Sequence, residues 1–113
     1  MVIPSVGTIV LVRFPFSDLS RSKLRPAVVL ANTGRNDWIL CQITSQSYTD
    51  PKAVEITTGD LTSGLLRKTS YARSGKLFTA NSVIMTKEIG ELKPEKLEEM
   101  IRAIILLLEK SIV

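Results

Sequence analysis

From Gly7 to Leu92 the sequence is a succession of short apolar runs cut by turn residues, and it takes up helical periodicity only after Pro94. "TIVLVRF" (8–14), "PAVVLAN" (26–32) and "WILCQIT" (38–44) are rich in β-branched and other strand-forming residues, which predicts strands at about 7–14, 26–32 and 38–44. "TGRND" between the last two carries turn residues and predicts a hairpin. "AVEIT" (53–57) alternates in and out, while "KTSYARS" (68–74) and "LFTANSVIMTKEIGEL" (77–92) supply the remaining strands. Short strands with turns between them predict a small, strongly bent antiparallel sheet or barrel. The polar segment "PFSDLSRSKLR" (15–25), opened by Pro15, reads as a long mobile loop, the kind more often functional than idle.

The C-terminal segment predicts a helix. Pro94 suits its first turn, and Glu95 complements the positive end of the helix dipole. Leu97, Met100, Ile101, Ile104, Ile105 and Leu108 recur on one face and are expected to form core. Leu106 and Leu107 widen the apolar arc beyond what one sheet face needs, which points to a second packing partner such as a homodimer mate. At 113 residues the chain is expected to form one domain over 1–113. Its 44% hydrophobic and 23% charged residues are those of an ordinary globular protein. "MVIPSVGTIV" lacks the basic region and cleavage site of a secretory signal. "AIILLL" (103–108) falls far short of the roughly 20 residues of a membrane span. A cytoplasmic protein with no membrane partner is therefore expected.

Histidine is absent, and Cys41 is the one cysteine. This excludes zinc sites of the usual ligand sets, and Ser-His and Cys-His nucleophile pairs with them. No metal or cofactor is expected, and acid–base work falls to Arg, Lys, Thr, Ser, Tyr or carboxylates. Cys41, inside an apolar run, reads as a small core residue. The net charge is +4, from 15 basic and 11 acidic residues, which suits a polyanionic partner. The cations gather at Arg13, Arg21, Lys23 and Arg25 and again at Arg67, Lys68, Arg73 and Lys76.

Two apolar runs carry polar groups at their mouths: Lys23 and Arg25 before "PAVVL", and Thr44 and Ser45 after "ILCQI". If the runs are adjacent antiparallel strands joined by a tight hairpin, Arg25 and Thr44 come to the same end of the sheet. Spacing alone leaves a plainer reading open, with Arg25 in a surface ion pair to Asp18 or Asp50 and Thr44 as a strand cap. Arg73 and Lys76, around Ser74 and Gly75, form a second basic element that also reads as a solvated strand edge. Together these cations and hydroxyls suit a phosphodiester, because guanidinium forks bind phosphate oxygens bidentately and stabilise charge developing at phosphorus. RNA brings its own nucleophile in the 2′-OH. Phe16, Tyr48 and Tyr71, near the basic segments, are candidate base-stacking surfaces, whereas Phe14 and Trp38 read as core.

Taken in order, "VLVRFPFSD" after Gly7, "KLRPAVVL", "ILCQITSQ", "VEI", "TSYARSGKLFT" and the terminal helix resemble the PemK/MazF-like toxins of bacterial type II toxin–antitoxin modules. The resemblance spans essentially the whole chain. It implies a mainly β fold with a C-terminal helix, a small SH3-like antiparallel β-barrel of the PemK/CcdB type, usually a homodimer. It implies metal-independent cleavage of single-stranded RNA, leaving a 2′,3′-cyclic phosphate and a 5′-hydroxyl, and inhibition by a cognate acidic antitoxin laid over the RNA site. The family's Arg-Pro arginine falls on Arg25 and its strand-end threonine on Thr44, with Ser45 and Gln46 beside it. Lys23, Arg21, Arg73 and Lys76 would bind RNA. Two positions depart from the pattern. Gly75 stands where some members carry an acid two residues after an arginine, and "FTAN" (78–81) stands where many carry Arg-Thr-Ile-Asp. The general base is then open; Asp18 is the candidate, its other reading a turn residue after Ser17.

Two rival functions remain at this point. One is a non-catalytic barrel that holds nucleic acid by charge and stacking. The other is a toxin of the same fold that acts on DNA gyrase, for which the Arg25 and Thr44/Ser45 pair would have no evident use. Cleavage specificity is expected to sit in segments 15–24 and 45–52.

Overall fold

Alternation of apolar side chains along the central strands gives one sheet two buried faces. The computed structural model describes residues 2–15, 22–47 and 50–112, with the backbone alone at Phe14, Pro15 and Ser22. Its strands are β1 (Thr8–Pro15), β2 (Ser22–Gly34), β3 (Asp37–Thr44), β4 (Val54–Ile56), β5 (Leu61–Gly64), β6 (Ser70–Asn81) and β7 (Met85–Leu92), followed by the helix α1 (Pro94–Glu109). They form one seven-stranded sheet in the order β4-β6-β3-β2-β1-β7-β5, with every pairing antiparallel. The sheet curls into a half-barrel. The mainly β fold with a C-terminal helix is thus the one expected.

One face buries Ile9, Val28, Cys41, Ile43, Val54, Ile56, Ala72 and Leu92 against Met100 of α1. The other buries Val10, Val12, Ala27, Val29, Leu40, Ala80 and Met85, with Trp38 and Phe78 packed at the margin. Each large aliphatic side chain so buried contributes about 1.5–3 kcal/mol. The β2–β3 hairpin turns at Arg35 and Asn36, which have φ of 56° and 65°. Two successive positive φ values match the twist of the flanking strands, and Asn tolerates that conformation.

Three expectations change. Ser22–Arg25 belong to β2 rather than to a loop, because they pair with Pro15, Phe14, Arg13 and Val12 of β1. Ser22, Lys23 and Arg25 are polar, which composition alone reads as loop, whereas the pairing with β1 makes the segment extended. A strand at Leu61–Gly64 also appears, unforeseen, as an edge paired to β7. On α1 the core-facing line is Leu97, Met100, Ala103 and Ile104. Ile105 and Leu108, expected in the core, are 46% and 59% exposed. The sheet covers one stripe of α1, so the second apolar stripe is left on its flank.

Candidate functional site

Strand register converts the separated cations into one site. Arg25 pairs with Val12 and Ala27 pairs with Gln42, so continuing the β2–β3 register by two residues, through Pro26 and Ile43, sets Arg25 across from Thr44. Directly opposed residues share a sheet face, and residues two apart on a strand share it too. Arg25, Gln42 and Thr44 therefore project from the face that buries Val12, Ala27 and Leu40. On β6 the pairing jumps from Ile43↔Ala72 to Cys41↔Leu77, so residues 73–76 bulge opposite Gln42. Such an insertion re-aims side chains. Here it brings Arg73 and Lys76 beside the others, and Arg25, Gln42, Thr44, Arg73 and Lys76 line a cavity of about 250 Å³. Among the described residues no carboxylate lines it.

Local bonds orient these groups. The Thr44 hydroxyl oxygen accepts the Gln46 backbone N–H at 3.2 Å, leaving its own proton for a ligand. Arg73 Nε lies 3.7 Å from the Asp50 carboxylate, with the two side chains 32% and 26% exposed. The buried Cys41 thiol donates to the Arg73 carbonyl at 3.3 Å and fastens the bulge to β3. Burial pushes this thiol from 9.0 up to about 11, so it stays a protonated thiol at neutral pH and is a poor nucleophile. Among the described residues no group of three His, Cys, Asp or Glu could hold a metal ion.

The remaining expected residues distribute as follows. Lys23 is exposed and pairs with Phe14, two residues from Arg25 and on its face. Ser45 and Gln46 are exposed just beyond β3. Asp18, Arg21, Phe16 and Tyr48 lie outside the described residues. Arg13 alternates with Val12 and so projects from the opposite face to Arg25. Arg67 lines a separate groove with Leu65 and Lys87. Gln42 was not singled out from the sequence, although its place two residues before Thr44, polar within an apolar strand, is a usable signal.

The sequence model for the PemK-like, MazF-like toxin of type II toxin-antitoxin systems matches residues 5–108. The chain belongs to this family. It is a type II toxin. Its fold is shared with MazF in the Form-II MazE–MazF complex from Deinococcus radiodurans, at a TM-score of 0.76 and 20% identity over 98% of this chain and 100% of that one. An endoribonuclease in complex with its cognate antitoxin from a mycobacterial species gives 0.67 at 18% identity, over 96% and 95% of the two chains. Mycobacterium tuberculosis toxin MazF-mt6 gives 0.66 at 15% identity, over 88% and 96%. A comparison with curated proteins finds no match.

The toxin has a second concavity of about 370 Å³ on the other face of the bulge, where Ser74 and Gly75 meet Ala103, Leu106 and Leu107 of α1. Asp50, Lys52 and Lys110 stand around it. The neighbouring Lys52, by hydrogen bonding and by charge repulsion, holds the Lys110 ammonium below the usual lysine range. Residues 73–76 of the toxin therefore separate a polar, cationic cavity from an apolar groove. No helix among the described residues is long and apolar enough to cross a membrane.

Proposed function

We propose that this toxin is an endoribonuclease that cuts single-stranded RNA by internal attack of a ribose 2′-OH. The observation that carries this reading is the convergence of Arg25, Thr44, Arg73 and Lys76 on one cavity of about 250 Å³, whose cations and hydroxyl suit a phosphodiester. The 2′-oxygen forms a bond to phosphorus as the bond from phosphorus to O5′ breaks, giving a 2′,3′-cyclic phosphate and a 5′-hydroxyl. Arg25 stabilises the charge growing on the non-bridging oxygens and donates a hydrogen bond to O5′, which takes its proton from solvent water as it leaves. An ordinary guanidinium is always protonated and a poor base, so the 2′-OH proton goes elsewhere. Asp18 is the group we assign to it, in the segment that joins the end of β1 to the start of β2. Thr44 donates to a phosphate oxygen and sets its orientation, while Arg73 and Lys76 hold the chain on either side. Because the substrate carries its own nucleophile, positioning and charge stabilisation suffice without a metal ion.

The same cationic face suits an acidic antitoxin segment, and relatives of this fold have been solved with their antitoxins. A bound antitoxin would compete with RNA directly.

The test separates cutting from holding. Arg25→Ala should cut RNA about 10²- to 10³-fold more slowly, and Thr44→Ser should retain far more activity than Thr44→Ala. Both Ala variants should still bind a 2′-O-methyl oligonucleotide. If the wild type binds many RNA sequences and cuts none, the non-catalytic binding module is the correct reading instead.

A further inference from the structure

We infer that Tyr71 and Glu55 form a nucleobase subsite beside the cationic cavity, an inference that rests on the ribonuclease reading for its substrate. Thr44 of β3 pairs directly with Tyr71 of β6, and Tyr71 pairs directly with Glu55 of β4. With Arg25 across from Thr44, these residues make a row that runs perpendicular to four neighbouring strands on one sheet face. Strands are about 4.8 Å apart, so the row from Arg25 to Glu55 is about 14 Å long. A phosphodiester held between Arg25 and Thr44 leaves the next position, Tyr71, for the base of an adjoining nucleotide, with Glu55 beyond it.

Burial along the strands supports this placement. Val54 and Ile56 are buried while Glu55 is exposed, and Ser70 and Ala72 are buried while Tyr71 is half-buried. An aromatic ring left partly open between a hydroxyl and a carboxylate has little of the core's company but a free surface for stacking. The strand beneath Glu55 is anchored, since Lys96 Nζ donates to the Glu55 carbonyl oxygen at 3.1 Å and pairs with Glu99 at 2.9 Å. The Glu55 carboxylate accepts hydrogen bonds only. It therefore selects a base with an exocyclic amino group, and guanine matches both of its oxygens through the parallel N1–H and N2–H. Uracil, with two carbonyls on that edge, would be disfavoured.

The experiment is cleavage of a randomised single-stranded RNA pool by wild type, Tyr71→Phe, Tyr71→Ala and Glu55→Gln, with the cut sites read by sequencing product ends. Affinity for 2′-O-methyl oligonucleotides, which cannot be cut, is measured alongside. Tyr71→Ala should lose roughly 5- to 100-fold in affinity while Tyr71→Phe keeps it. An abasic residue at the preferred position should remove the difference between wild type and Tyr71→Ala, which a merely structural role for the ring would not do. Glu55→Gln should lose about 10-fold of the discrimination for an amino-bearing base at one position flanking the cut. Unchanged affinity in Tyr71→Ala, unchanged base preference in Glu55→Gln, or a wild-type requirement for uracil at that position, overturns the subsite. If the protein binds with this Tyr71 dependence and never cuts, the ribonuclease reading fails and the subsite stands; if it neither binds nor cuts, both fail.

Discussion

The Cys41 thiol donates to the Arg73 carbonyl at 3.3 Å, from the middle of β3 to the start of the bulge that carries Arg73 and Lys76. A buried core residue thus holds the backbone of a surface site. Cys41→Ala should lose about 2 kcal/mol of stability through the lost contact and the small cavity, and its RNA cleavage should fall as Arg73 loosens. The same thiol gives a pH signature. The unfolded chain releases the Cys41 proton near 9.0 whereas the folded chain keeps it to about 11. The unfolded state therefore binds fewer protons across that window, and stability falls from pH 9 to pH 11 by about 2–3 kcal/mol. Urea titrations across that range should show this decline in wild type relative to Cys41→Ala; parallel curves would contradict it.

Gly64 has φ of +86°, and a Cβ there would run into the backbone of Ile89 and Gly90 on β7. Neither atom can move without breaking the β5–β7 pairing. Gly64→Ala should cost at least about 3 kcal/mol. Gly34→Ala, at φ of +102° but with open space around it, should cost about 1 kcal/mol. Thermal melts of the two variants give the comparison, and equal losses would argue against the close approach at Gly64.

Lys76 lines the cavity and is exposed, so its contribution to RNA binding should be that of a point charge. Affinity of wild type for an uncleavable RNA, plotted against salt on logarithmic axes, should give a slope that is shallower by about 0.7 in Lys76→Ala. An unchanged slope would remove Lys76 from the RNA path.

Ile105, Leu106 and Leu108 are 46%, 61% and 59% exposed on the flank and outer side of α1. An apolar patch on this scale along one helix is a candidate contact surface, and the prediction is that a second copy of the chain packs on it. Light scattering behind a sizing column should give a dimer mass for wild type and a monomer for Leu106→Lys. A monomeric wild type would leave this face to another partner.

The convergence of Arg25 and Thr44 was legible because it follows from strand order and one tight turn, both written in local residue types. The helix beginning at Pro94 was legible for the same reason. The bulge at 73–76 was not. It depends on Cys41 from another strand and on how α1 lies over Ser74 and Gly75, none of which has a local signature. The strand character of Ser22–Arg25 was hidden by polarity, since pairing with β1 and not composition makes that segment extended. Periodicity showed α1 to be apolar over a wide arc, but which stripe of it meets the sheet is decided by Leu97, Met100 and Ile104 finding the core. Glu55 drew no notice because a lone acid in a three-residue strand signals nothing until Tyr71 and Thr44 are seen beside it.

Internal attack makes one atom of the substrate indispensable, and that atom can be removed. The decisive measurement is cleavage, in EDTA, of an RNA oligonucleotide that wild type cuts at a single position, beside the same oligonucleotide carrying a 2′-deoxynucleotide immediately 5′ to that phosphodiester. The all-RNA substrate should yield a 2′,3′-cyclic phosphate and a 5′-hydroxyl, and the singly deoxy substrate should stay intact while binding as tightly. Cleavage of the deoxy substrate at the same position, or a loss of all-RNA cleavage in EDTA, would contradict the proposed mechanism.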